Sequence, residues 1–150
     1  RNIIKNFGYV SRMDNLQAAF LNFKLKSLKK VIKIRRRNAN IYKKLLNNNH
    51  IKIPYDEKTD FHTYHTFVIQ VKKKRDELKN FLLNKGVETS IHYPVPIHLQ
   101  PAAKMFGYKK GDFAITESQS KEILTLPVNE NLSNLEVVKI SNLINSFFDK

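Results

Sequence analysis

Tyr64-His65-Thr66-Phe67-Val68-Ile69-Gln70-Val71 is the stretch on which the reading of this chain turns. Its residues alternate as a strand requires, since successive side chains of a strand point to opposite faces. His65, Phe67, Ile69 and Val71 share one face, and Tyr64, Thr66, Val68 and Gln70 share the other. Three lysines follow, and residues 76–85 then carry Leu78, Phe81 and Leu82 at the spacing of a short amphipathic helix. Gly86 is placed to end it, because glycine accepts the left-handed conformation at a helix C-terminus. His65 sits among core residues, so a partly buried, hydrogen-bonded histidine is its plainest role.

Downstream, residues 87–92 form a second strand candidate. They run into Tyr93-Pro94-Val95-Pro96-Ile97-His98-Leu99-Gln100-Pro101, where three prolines forbid regular structure. Thr116 and Gln119 fit a capping box for a short helix, and residues 123–126 are a brief apolar run before Pro127. Ser133 and Glu136 form another such box. It opens a final helix with Val137, Ile140, Ile144 and Phe147 along one side.

Upstream, no Gly or Pro interrupts residues 13–47. Leu16, Phe20, Leu28, Val31, Ile34, Ile41 and Leu45 recur there at spacings of threes and fours. The pattern predicts one long helix with Ser11 and Asp14 as candidate caps, reaching roughly 50 Å at about 1.5 Å per residue. So long an element bridges two domains or packs on a partner. Its other faces carry Lys24, Lys26, Lys29, Lys30, Lys33 and the triplet Arg35, Arg36, Arg37. A solvated face is the plain reading, and an anion site is the alternative. Residues 47–60 are a polar connection with Pro54 and one short strand. The order of elements is that of a small α+β unit, helices against one mostly antiparallel sheet.

Of 150 residues, 41% are hydrophobic, enough for one modest domain with a core. The chain begins at Arg1, not Met, so its visible start is expected to be a cut. No run of about 18 apolar residues or charged-then-apolar leader is present, which argues against membrane spanning and secretion. The absence of cysteine removes disulfides and thiolate metal sites and fits a reducing compartment. A net charge of +14 suits a polyanionic partner, or a proteome rich in Lys, Asn and Ile.

The chemistry-bearing residues are few. Of His50, His62, His65, His92 and His98, none shows the helical spacing with an intervening Glu of a zinc hydrolase, and no metal site is expected. His92 and His98 flank the proline-stiffened loop. Such a loop holds side chains at low entropic cost, as a substrate-contacting segment needs and as a structural turn also would. No nucleophile elbow and no Gly-rich phosphate loop appears, and the acidic residues are scattered. The residues by themselves name no reaction.

Four ordered motifs go further. Gly8-Tyr9-Val10-Ser11-Arg12-Met13-Asp14-Asn15-Leu16-Gln17-Ala18-Ala19 resembles the G-[YV]-N-x-R-[LM]-[DS]-x-[LI]-Q-A-A signature of the DegT/StrS-type sugar aminotransferases. Ile91-His92-Tyr93-Pro94-Val95-Pro96-Ile97-His98-Leu99-Gln100 resembles that family's H-Y-P-x-P-x-H-x-Q loop. Tyr64-His65-Thr66-Phe67-Val68-Ile69 is similar to its H-x-[FY]-V-I strand, with Arg75-Asp76 as its R-D helix start. Gly111-Asp112-Phe113 through Glu117, with Leu124-Thr125-Leu126-Pro127, parallels G-x-F-P-x-x-E…L-S-L-P.

The resemblance implies the C-terminal part of the aspartate-aminotransferase-like fold (fold type I), an α/β architecture whose small domain is α+β. Residues 1–50 would be an interdomain and dimer-contact segment with the long helix, residues 51–150 the small domain, and the large cofactor domain would lie outside this chain. A lysine expected upstream would hold pyridoxal 5'-phosphate as a Schiff base, so no catalytic residue is assigned in this chain. An amino group would pass from glutamate to a keto sugar carried on a nucleotide, the loop being most like that of enzymes acting on dTDP-3-keto-6-deoxyhexoses. A cytoplasmic homodimer is implied, with no nucleic acid or membrane partner. Ser11 and Arg12 would face the cofactor phosphate; His92, Tyr93 and His98 would face the substrate. Val10 departs from the family's Asn and offers no side-chain hydrogen bond. That departure admits a catalytically altered member, a dehydratase or an inactive subunit; the charge admits a basic nucleic-acid-binding module.

Overall fold

The structure, a computed structural model, describes residues 3–6, 8–9, 12–46, 49–57 and 59–149. Helix α1 (Asn15–Leu25) starts at Asp14, whose carboxylate accepts the Gln17 N–H at 2.8 Å while the Gln17 side chain accepts the Asp14 N–H at 3.3 Å. Helix α2 (Leu28–Leu45) follows after a tight turn, so the single long helix read from the periodicity is two. Ser27 makes the difference. Its Oγ donates to the Lys24 carbonyl at 3.0 Å, and its N–H donates to the same carbonyl at 3.1 Å. A hydroxyl that competes for a main-chain carbonyl tightens the turn and interrupts the helical ladder.

Strands β1 (Ile51–Lys52), β2 (Phe67–Val71) and β3 (Ile123–Leu126) form one antiparallel sheet in the order β1-β2-β3, with Phe67 opposite Leu126 and Ile69 opposite Leu124. Helix α3 (Arg75–Asn84) follows β2, helix α4 (Ala114–Glu122) leads into β3, and helix α5 (Asn134–Phe148) closes the chain against α2. Two 3₁₀ turns, Ile97–Leu99 and Pro101–Phe106, shape the proline loop. Phe67, Ile69 and Val71 bury one face of β2 against Ala39 and Tyr42 of α2, Leu78 and Leu82 of α3, and Val137 and Ile144 of α5. Phe67 stacks on Tyr42 with ring centroids 5.1 Å apart. Burying a side chain of that size stabilises by about 1.5–3 kcal/mol. The packed unit thus starts inside α2, whereas α1 buries no side chain among the described residues.

Other expectations change in detail. The strand begins at Phe67, not Tyr64, because Tyr64 takes a left-handed backbone (φ 50°) that breaks the alternation. Tyr64 therefore turns into the core, 2% exposed, and donates its hydroxyl to Asp56, while His65 is exposed beside Arg35. Residues 87–92 make no strand, only a bridge between Ser90 and Thr125. Thr116 and Gln119 lie inside α4, which has started two residues earlier, after Phe113; they cap nothing. Gly86 is left-handed (φ 78°) after α3, and Ser133 and Glu136 form the anticipated capping box.

Candidate functional site

The proline loop springs from the edge of β3. Ser90 and Thr125 exchange both backbone hydrogen bonds, at 3.2 and 2.7 Å, and the Thr125 hydroxyl lies 3.0 Å from His92 Nδ1. Tyr93 projects into solvent with its ring edge-on to His92, centroids 5.3 Å apart. Together they stand between two clefts and line both. One cleft, about 610 Å³, has the loop with Pro96 and Gln100 on one side and Thr116 and Gln119 of α4 on the other. The second, about 560 Å³, is bordered by His65, Thr66, Thr125 and Asn129. Hydroxyls, amides and imidazoles on a mostly apolar floor suit a neutral polar ligand such as a sugar ring.

His98 sits elsewhere. It is 7% exposed, packs its ring 4.8 Å from that of Phe113, and places Nε2 3.0 Å from Glu117 Oε1. It faces α4, behind the loop. The Gly111 N–H donates to the same Glu117 oxygen at 2.7 Å. That N–H first, and His98 second, holds the Glu117 carboxyl below the usual carboxylate range. Gln100, 4% exposed, accepts the Ile4 N–H at 2.9 Å and donates to the Val95 carbonyl at 3.3 Å. The Ile4 carbonyl in turn accepts the Ala102 N–H at 2.9 Å, so the N-terminal segment is pinned to the loop.

Arg12 is exposed before α1 and pairs with no carboxylate among the described residues. Ser11 and Val10 lie outside the described residues. The sequence reading therefore named two residues that meet at the clefts, His92 and Tyr93. It missed Glu117, Gln100 and Thr125, although each stood inside a quoted motif.

A third and larger cleft, about 750 Å³, runs along α2 between Lys29, Lys33, Lys44 and Phe61, with Arg36 over the Phe61 ring at 4.5 Å. No histidine, carboxylate or hydroxyl lines it among the described residues, and what it chiefly offers is positive charge. Among the described residues, no metal-binding cluster occurs, and no helix is long and apolar enough to cross a membrane.

A three-stranded antiparallel sheet, helices on its buried face and a proline-stiffened loop over two clefts define a class. The architecture is that of solved aminotransferases: a DegT DnrJ EryC1 StrS aminotransferase from Brucella abortus superposes with a TM-score of 0.83 at 32% identity, covering 93% of this chain and 37% of that one. The chain belongs to the DegT/DnrJ/EryC1/StrS aminotransferase family, whose pattern matches residues 1–145. It is 35% identical to the pleiotropic regulatory protein of Geobacillus stearothermophilus, over 94% of this chain and 38% of that protein. It is 31% identical to the dTDP-3-amino-3,6-dideoxy-alpha-D-galactopyranose transaminase of Aneurinibacillus thermoaerophilus, over 97% of this chain and 42% of the enzyme. The chain thus spans about two fifths of the length of the curated relatives it matches.

Proposed function

We propose that this chain is the C-terminal portion of a pyridoxal-phosphate-dependent aminotransferase that passes an amino group from glutamate to the keto carbon of a nucleotide-linked sugar. The observation that carries the reading is the pair His92 and Tyr93, held at the crest between two polar-walled clefts within a chain of this family. The cofactor, when bound, supplies the electron sink for moving the amino group. The residues present fit one end of it: the Arg12 guanidinium is free for bidentate contact with a phosphate. In this reading the lysine that carries the cofactor lies in the rest of the protein, as the family resemblance implies.

In this reading Ser11 and Arg12 hold the cofactor phosphate, His92 and Tyr93 border the sugar nucleotide, and His98 holds their loop in place. The substrate class is a dTDP-3-keto-6-deoxyhexose, in keeping with the transaminase relative. The exposed apolar face of α1 meets the remainder of the protein and a second subunit, giving a homodimer in the cytoplasm. The chain's net charge of +14 favours the approach of the anionic cofactor and substrate.

The test is amino transfer by the complete protein with pyridoxal phosphate, glutamate and a dTDP-3-keto-6-deoxyhexose, the amino sugar being detected by mass spectrometry. Transfer in the parent and at least a tenfold loss in Arg12→Ala supports the reading. A protein that releases no 2-oxoglutarate from glutamate and yields no amino sugar overturns it.

A further inference from the structure

We infer that Glu117 is a positioning residue that sets the width of the cleft beside the loop, acting through His98; the inference rests on the aminotransferase reading for its kinetic consequence, but not for its geometry. Residues 92–101 have prolines in place of a hydrogen-bonded ladder, so side chains must hold the loop. Its base is tied at His92 and Thr125, and its far end at Gln100. Its middle is tied at His98, with Nε2 3.0 Å from Glu117 Oε1.

Glu117 is built for that task. It sits in the first turn of α4, where its own N–H donates to the Phe113 carbonyl at 3.0 Å, so its backbone is fixed. A single oxygen receives both the Gly111 N–H and the His98 ring nitrogen, joining the turn before α4, the helix and the loop at one atom. The Phe113 ring closes the other side of His98, and Tyr108 packs edge-on to Phe113 at 5.1 Å. Releasing His98 would leave a buried imidazole without a partner, which is unfavourable, so the clamp stays closed.

The consequence follows from what flanks Glu117 on its helix. Thr116 and Gln119 form one wall of the cleft of about 610 Å³, and His92, Tyr93 and Pro96 form the other. Glu117 does not line that cleft; it borders a separate hollow with Arg75 and Lys121. The Glu117–His98 bond is therefore a strut between the two walls. Substrate on one wall meets the other at a spacing this strut fixes, so losing the strut weakens binding of ground and transition state alike.

Two readouts on the complete protein test this. Hydrogen exchange with mass spectrometry reports the loop directly, since the Leu99 and Gln100 amides donate to Pro96 and Ile97 at 3.0 and 3.1 Å. In Glu117→Ala these amides should exchange at least tenfold faster while the β2 amides stay unchanged. Glu117→Gln keeps a carbonyl oxygen in place and should restore slow exchange. Kinetically, Glu117→Ala should raise KM for the keto sugar nucleotide about tenfold with kcat within threefold, and Glu117→Ala/His98→Ala should be no worse than the worse single variant. Unchanged loop exchange in Glu117→Ala overturns the inference, as does faster exchange spread equally through β2. A parent protein that transfers no amino group overturns the proposed function instead, and leaves the exchange result to decide the strut.

Discussion

Replacing Tyr42 with Phe removes one oxygen from the inside of the molecule. The ring would keep its stack on Phe67, but the hydroxyl that donates to the Pro127 carbonyl at 2.9 Å would be lost. The expected cost is about 0.5–1.5 kcal/mol by urea unfolding at neutral pH. Burial pushes the Tyr42 hydroxyl far above the usual tyrosine range. A raised folded-state pKa gives stability that is whole below the ordinary value, about 10, and falls away as the pH rises past it. Tyr42→Phe should therefore flatten the alkaline fall in stability, and an alkaline limb identical to the parent's would refute this. Glu117 has the opposite sign. Its carboxyl lies below the ordinary range through the Gly111 N–H and then His98, so its contribution is present above about pH 4.3 and is lost on acidification. Glu117→Gln should flatten the acid limb, read as the urea midpoint against pH. Some of this scale was legible: His92 and His98 stood out because they flank a proline-stiffened loop, and Tyr93 came only with the family motif. The burial of His98 was not legible, because it depends on a carboxylate 19 positions away. Nor was the exchange of Tyr64 and His65 between core and surface, since a period of two says nothing of a left-handed backbone at a tyrosine.

At the level of elements, two capping boxes of the same pattern met different fates. Ser133 has an extended backbone (φ −74°, ψ 162°), its hydroxyl accepts the Glu136 N–H at 3.3 Å, and Glu136 accepts the Ser133 N–H at 2.8 Å. Thr116 is already helical, because the turn at 108–113 starts α4 before it. A motif states which residues could cap a helix; the preceding turn decides where the helix begins. Ser133→Ala should cost about 1 kcal/mol in urea unfolding, and Thr116→Ala should stay within about 0.5 kcal/mol. Equal losses at both sites would contradict the assignment. The break at Ser27 belongs here too. Hydrophobic spacing does not mark it; at the break the Lys26 and Ser27 N–H groups turn back onto the Phe23 and Lys24 carbonyls, and the Ser27 hydroxyl adds a bond to Lys24. The buried face of β2 from Phe67 to Val71, the α3 stop at Gly86 and the buried face of α5 were readable because period, glycine and capping signals all agreed there.

For the molecule as a whole, one contrast governs behaviour in solution: +14 of net charge, and a first helix whose large apolar side chains are uncovered. Leu16, Phe20 and Phe23 lie at spacings of four and three on one side of α1 and are 81%, 59% and 69% exposed. An apolar face of this kind marks an interaction surface. Burying each side chain would contribute about 1.5–3 kcal/mol, so placing Glu at Leu16 and Phe23 removes at least about 3 kcal/mol of association, a hundredfold or more in Kd. Charge repulsion opposes contact between copies at low salt and is screened at high salt. Association through α1 should therefore tighten as salt rises. Nucleic-acid binding on the Lys29–Lys33–Lys44 face of α2 should do the reverse, because released counterions drive it. Sedimentation velocity of this chain at about 0.05 and 0.5 M salt separates the two. The expected result is a larger species at the higher salt that Leu16→Glu/Phe23→Glu returns to the monomer. A complex with a DNA oligonucleotide that forms at the lower salt and dissociates at the higher, with no larger species of the chain at the higher salt, would favour the α2 surface, and association indifferent to both substitutions would remove α1 from the contact.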